Sequence, residues 1–411
     1  MAGLLRHRVW FSEVRLTTIV ASMMLAAVVV GAITVQPAQA QTYKVLYTFL
    51  GGTEPDGSTP VAGLVRTSSG ALYGTTSLGG TRGGGTVFKL SATGQYSVLH
   101  NFRGGKDGKL VLAGLIRDNS GNLYGTTWFG GGYGGGYGAG TVFKVSKSGK
   151  EEVLHAFKGQ PTDGGSPAAG LVRDSAGSLY GTTFAGGTNN FGMVFRVAPN
   201  GKEKVLYSFP GGANGFSPVA GLVRDAAGNL YGTTEGGGTT AGGIVFKLDV
   251  SGTETVLYTF TGGTDGGGPE AGLIRDTQGN LYGTTVGGGA ATCRCGTVFK
   301  LDTAGTETVL HSFDGTDGSN PVAGLVRDAE GNFYGTASAG GALGFGTVFK
   351  LDTAGVLTVL YSFAGQADGA YPKAGSVLDA AGNLYGTASQ GGNRRGNCRT
   401  SGCGVVFEIT P

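Results

Sequence analysis

The chain has 411 residues, 84 of them glycine, with 14% charged residues and a formal charge of +3. So small a balance leaves no basic footprint for nucleic acid or anionic lipid, and neither is expected as a partner. Glycine enrichment alone would fit disorder, but here the glycines alternate with evenly spaced Val, Leu, Tyr and Phe segments that disordered chains lack.

In chain order, Arg6, Arg8 and Arg15 precede an apolar run from Thr17 to Val35, and Ala38-Gln39-Ala40 supplies a small-x-small cleavage signal. Residues 1–40 read as a secretory signal peptide cut after Ala40, which predicts export to the periplasm, cell surface or medium with no membrane span in the mature chain. The remainder, 41–411, is expected to be one repeat domain and a monomer. Its motif Tyr-Gly-Thr recurs with Tyr73, Tyr124, Tyr180, Tyr231, Tyr282, Tyr334 and Tyr385. A fixed period of this size means a propeller or solenoid.

Each unit holds four short segments rich in β-branched and aromatic residues. Around Tyr231 they are Ala220–Asp225, Asn229–Thr234, Ile244–Leu248 and Glu254–Phe260. The first two are joined by Asp225 to Asn229 and the last two by Leu248 to Gly252, tight links in which glycine supplies a left-handed residue. Four strands joined in a meander and repeated seven times predict an all-β fold, a seven-bladed β-propeller of four-stranded antiparallel blades. The mature chain opens on a fourth-type segment, Lys44–Phe49, and closes on a third-type one, Val405–Thr410. The N-terminal strand should therefore complete the last blade, with Val45, Leu46 and Tyr47 paired to Val406, Phe407 and Glu408.

The pattern in Ala220-Gly221-Leu222, Asn229-Leu230-Tyr231-Gly232-Thr233-Thr234 and Thr297-Val298-Phe299-Lys300-Leu301 resembles the GloVer tandem-repeat family over nearly the whole mature chain. That resemblance implies an exported bacterial repeat protein and assigns no activity. Members carry varied C-terminal surface anchors, and no anchor segment is read before Pro411.

Repeated residues serve the scaffold, so candidate chemistry is sought where the units differ. If the first segment lines the channel, the long second-to-third and fourth-to-first connections share one face, where binding loops belong. The loop from Trp128 to Gly140 carries Trp128, Phe129, Tyr133 and Tyr137, aromatics suited to stacking on a sugar or peptide. Arg394 and Arg395 in the last such loop are candidates for an anionic glycan. Glu235 and Glu270 fall on one rim, and a carboxylate pair is what glycoside hydrolysis needs. The leading expectation is a binding module for a glycan or an extracellular protein. The alternatives are a glycosidase using that pair and a purely structural envelope protein.

The recurring Asp56, Asp107, Asp163, Asp265, Asp317 and Asp368 are read as turn-shaping residues, with a calcium ring as the alternative. Arg66, Arg117, Arg173, Arg224, Arg275 and Arg327 are read as ion pairs between strands or blades. His100, His155 and His311 replace Tyr in fourth strands and are placed in the core, so no metal site and no cofactor is expected. Cys398 with Cys403, and Cys293 with Cys295, are the favoured disulfides of an exported chain.

Overall fold

A computed structural model describes residues 41–51, 56–132, 138–290, 292–394, 398 and 400–411, and Gln41–Pro411 form one compact unit. Its strands make seven four-stranded antiparallel sheets, the blades of a propeller. In the fourth blade the order from one edge to the other is Val223–Arg224, Leu230–Thr234, Ile244–Leu248 and Glu254–Thr259. The first strand keeps only two residues. Ahead of it, Ala220 gives its carbonyl to a neighbouring blade and so leaves the ladder of its own.

The seventh blade is closed by the chain's N-terminal strand, Thr42–Thr48, which lies antiparallel to Val405–Thr410. Lys44 faces Glu408, Val45 faces Phe407 and Tyr47 faces Val406, while Leu46 forms a bulge instead of pairing as expected. The same bulge recurs in the outer strand of every blade, as between Val205 and Tyr207. With one extra residue there, Val205 and Tyr207, which would face the same side of a regular strand, meet the adjacent Phe195 and Val194, which face opposite sides.

The Tyr-Gly-Thr motif divides three tasks. Tyr231 donates its hydroxyl to Asp225, whose carboxylate also accepts from Asn229, so the aspartate fixes its own hairpin. Burial raises the Asp225 pKa, but those hydrogen bonds outweigh it and hold the group below the usual carboxylate range. Gly232 leaves the space that the Phe246 ring and a Leu222 methyl group fill, since a Cβ there would stand 2.8 Å from each. Thr233 reaches forward to the carbonyl of Ala271 in the next blade, and its six equivalents do likewise, ending with Thr387 on Ala62. The ring of hydrogen bonds closes on itself.

Inside it runs a second ring. Gly63, Gly114, Gly170, Gly221, Gly272, Gly324 and Gly375 each approach the backbone of the preceding one, and Gly63 meets Gly375. First strands therefore surround the channel, as a short Ala-Gly edge allows. Farther out, one phenylalanine per third strand and one per blade-joining loop, such as Phe246 and Phe260, are fully buried and meet edge to face across blades. Arg275 lies over the ring of Tyr231 in the preceding blade, Arg173, Arg224 and Arg327 do the same, and Arg66 pairs with Asp379 at 3.1 Å. Arg66 thus joins blades by an ion pair of the kind expected, whereas Arg173, Arg224, Arg275 and Arg327 do so over an aromatic face.

Candidate functional site

The loops of the long-loop face are tied down by a repeated backbone device. Thr59, Leu110, Ser166, Ser217, Gly268, Asn320 and Tyr371 all have φ between 53° and 63°. Each donates its N–H to a loop of the preceding blade and accepts from the residue that follows Thr-Thr or Thr-Ala in its own, as in Ser217 N–H to Phe191 O and Glu235 N–H to Ser217 O. Six non-glycine residues held in the left-handed region cost of order 1 kcal/mol or more apiece, and the two hydrogen bonds at each position hold them there. The rim is rigid. What varies is the side chain.

At the position after Thr-Thr or Thr-Ala the units carry Ser77, Trp128, Phe184, Glu235, Val286, Ser338 and Ser389. The three serines are buried and fold back onto their own loops, donating to Thr59, Asn320 and Tyr371 carbonyls at 2.8–2.9 Å. On blades two, three and four the same position instead bears Trp128, Phe184 and Glu235. Trp128 and Phe184 are half-buried with ring centroids 5.4 Å apart, and Phe129 stands edge-on to Trp128 at 6.2 Å. Lys109 lies 5.7 Å over the Phe129 ring, a cation against an aromatic face. Phe184 does not emerge from the sequence as a site residue because it sits in a loop of ordinary length. Only the equivalence of its position with Trp128 marks it.

The residues just before each Ala-Gly precede the glycine ring: Val61, Leu112, Ala168, Val219, Glu270, Val322 and Lys373. Five are apolar and two are charged. The half-buried Glu270 has its pKa raised, chiefly by burial and then by Glu235, while Lys373 works against the rise. The structure thus brings Glu235 and Glu270 within electrostatic reach across two blades and adds Lys373 from a third, a partner the sequence does not disclose.

Arg394 donates from Nη2 to the carbonyl of Gly365 at 2.5 Å and so braces a neighbouring loop. Tyr133, Tyr137 and Arg395 lie outside the described residues. Cys293 is bonded to Cys295 and Cys398 to Cys403, and the carbonyls of Cys295 and Cys403 accept from the left-handed Asn320 and Thr59. Each cysteine loop therefore braces a blade junction.

The turn aspartates do shape their loops. Asp265 accepts from the Thr261 N–H and the Tyr258 hydroxyl, and Asp56 from the N–H groups of Leu50 and Gly51. The placement of the histidines in the core needs correction. His155 Nε2 lies 3.2 Å from Asp163 and His311 Nε2 lies 2.6 Å from Asp317, so imidazole takes over the hydroxyl's partner at the outer rim rather than filling apolar space. His155, Asp163 and Glu203 also gather their ligand atoms within 4.8 Å of one another, where the sequence leads one to expect no metal cluster.

The chain belongs to the Gloeobacter/Verrucomicrobia repeat family, whose model matches residues 29–137, 132–293 and 291–411. Comparison with curated proteins returns no match. Among solved structures, virginiamycin B lyase from Staphylococcus aureus is similar at 14% identity and a TM-score of 0.59, over 90% of this chain and 99% of that one. The extracellular domain of a protein described as a hybrid two component system from B. thetaiotaomicron is similar at 11% identity and a TM-score of 0.57, over 90% of this chain and 39% of that one. At such identities the likeness is one of fold. Among the described residues, no helix is long and apolar enough to cross a membrane.

Proposed function

We propose that the protein is an exported binding module whose long-loop face holds a carbohydrate, with the Trp128 and Phe184 rings stacking on a sugar face and Glu235, Glu270 and Lys373 meeting its hydroxyl groups. One observation carries this reading. A position that is a buried, self-satisfied serine on three blades becomes Trp128, Phe184 and Glu235 on three consecutive others, over an unchanged backbone. Large side chains presented on a rigid rim around an apolar mouth are what a small-molecule site requires. Likeness in fold to the extracellular domain of a protein described as a hybrid two component system is in keeping with it.

A glycan array followed by titration calorimetry on the purified protein tests this reading. Trp128→Ala should weaken the selected glycan by roughly 30-fold, the share of an aromatic anchor worth about 2 kcal/mol. An array with no specific signal, or a hit indifferent to Trp128→Ala and Phe184→Ala, overturns it.

A second reading, glycoside hydrolysis, is favoured by one fact: the half-buried Glu270 is shifted toward a general acid beside the exposed Glu235. Release of reducing sugar from the bound glycan, abolished by Glu270→Gln with binding retained, would select it.

A further inference from the structure

The outer rim between the second and third blades gathers three potential ligand atoms, from His155, Asp163 and Glu203, within 4.8 Å of one another. His155 comes from the second blade's outer strand, Glu151–Ala156, and Glu203 from the third blade's, Glu203–Ser208, while Asp163 lies in the connection between those blades. Asp163 is 6% exposed and is held by the N–H groups of Lys158 and Gly164 at 2.9 and 2.7 Å. Gly164–Gly165 pairs with Ala185–Gly186 in a two-stranded ladder, and the His155 ring packs edge-on against Phe157 at 4.8 Å. Two of the three donors are thereby fixed by backbone and packing. Glu203 is different. Its Oε1 is fully buried and has no hydrogen-bond partner.

Neighbouring junctions surround the same three positions differently, although the equivalent Glu151 and Glu254 Oε1 atoms are likewise buried without a hydrogen-bond partner. Between blades three and four they hold Tyr207, Asn214 and Glu254, and the glutamate accepts from Asn214 Nδ2 at 2.7 Å and Tyr207 at 3.4 Å. Between blades one and two they hold His100, Asp107 and Glu151, with the Arg103 guanidinium on Asp107 at 3.4 Å. One junction supplies neutral donors and another a cation. At His155, Asp163 and Glu203 two carboxylates face an imidazole.

We propose that His155 Nε2, Asp163 and Glu203 bind a divalent ion of the zinc class across the junction of the second and third blades. One imidazole and two carboxylates with a fourth position left for water is a zinc donor set. A tetrahedral shell with bonds of about 2.0–2.1 Å sets its ligand atoms roughly 3.3–3.5 Å apart. His155 Nε2 and Asp163 Oδ2 already stand at 3.2 Å, and all three donors lie within 4.8 Å. On binding, the ion replaces the proton that His155 shares with Asp163 and gives the buried Glu203 Oε1 its partner. It would bolt together the two blades that carry Trp128 and Phe184, without touching the sugar face.

The test is calorimetric titration of chelator-stripped protein with Zn2+ alone, with Co2+ as a visible probe of coordination. One equivalent should bind and raise Tm. Glu203→Gln and His155→Phe should each weaken binding at least roughly 100-fold, the loss of one ligand in three exceeding the 10–100-fold typical of outer-shell partners, while Glu151→Gln leaves it unchanged. The paired substitution Tyr207→His with Asn214→Asp should create a second equivalent, which keeps the test decisive if a loss variant fails to fold. Absence of binding, or one equivalent that survives both Glu203→Gln and His155→Phe, overturns the site. None of these readouts involves glycan, so the outcome is separate from that of the binding reading.

Discussion

The two faces of the propeller are cut from the same repeat and differ in what is allowed to vary. On the tight-turn face side chain and backbone repeat together: Asp118, Asp225, Asp276, Asp328 and Asp379 each accept the hydroxyl of the tyrosine six residues on. On the long-loop face the backbone repeats just as strictly, through seven left-handed residues and their paired hydrogen bonds, yet the side chains at equivalent places run from a buried serine to tryptophan. A scaffold residue is recognised by the constancy of its partner. A candidate site residue is recognised by a constant seat with a changed occupant.

Three experiments press on that distinction. The largest effect belongs to ring closure. Removing residues 42–48 strips the outer strand from the seventh blade and uncovers the fully buried core around Phe407 and Ile409, so Tm should fall by on the order of 10 °C, measured by differential scanning calorimetry. An unchanged Tm would mean that the ring does not depend on its seam.

The glycine ring gives a graded comparison. A Cβ at Gly375 would stand 2.8 Å from Gly324 O, whereas at Gly170 the distance to Gly114 O is 3.7 Å. Gly375→Ala should therefore cost about 1–3 kcal/mol, and Gly170→Ala little or nothing, by chemical denaturation. Equal costs would refute backbone approach as the reason for glycine.

The smallest effect is a pH dependence at the outer rim. Burial and then Asp265 push Glu307 from 4.5 up to about 7, so between those values the folded chain binds a proton that the unfolded chain has released. Stability contributed by this group is present below the lower value, falls as pH rises through the window and stays reduced above it. Glu307→Gln should raise Tm by roughly a degree at pH 8 and leave it unchanged at pH 4. A gain at pH 4 as well would show that charge is not the cause.

Much of the fold was legible because periodicity encodes it. The strand segments, the seven units and the completion of the last blade by the first strand follow from the spacing of Tyr-Gly-Thr and from which segment type starts and ends the repeat array. The bulge at Leu46 was not, since alternation alone gives no sign that one residue is skipped. At the candidate site Trp128 and Glu235 stood out as departures from the repeat. Phe184 did not, being one apolar residue among many. Lys373 escaped because its charge matters only opposite Glu270, two blades away around the ring. His155, Asp163 and Glu203 escaped for a related reason: each sits at a place where its own type recurs, and only folding sets two neighbouring blades' copies side by side.

The seam between Thr42–Thr48 and Val405–Thr410 has a consequence for the order of events during synthesis. Thr410 Oγ1 and Thr42 O meet across a sequence separation of 368 residues, so the first strand made waits for the last. Six blades can assemble as they are completed, each from one continuous stretch of chain. Until the final segment arrives, Thr42–Thr48 is a bare strand whose backbone groups invite any available partner, another copy included. The slow step of folding should be the meeting of the two ends, and a copy that closes on its neighbour's strand would be the characteristic failure.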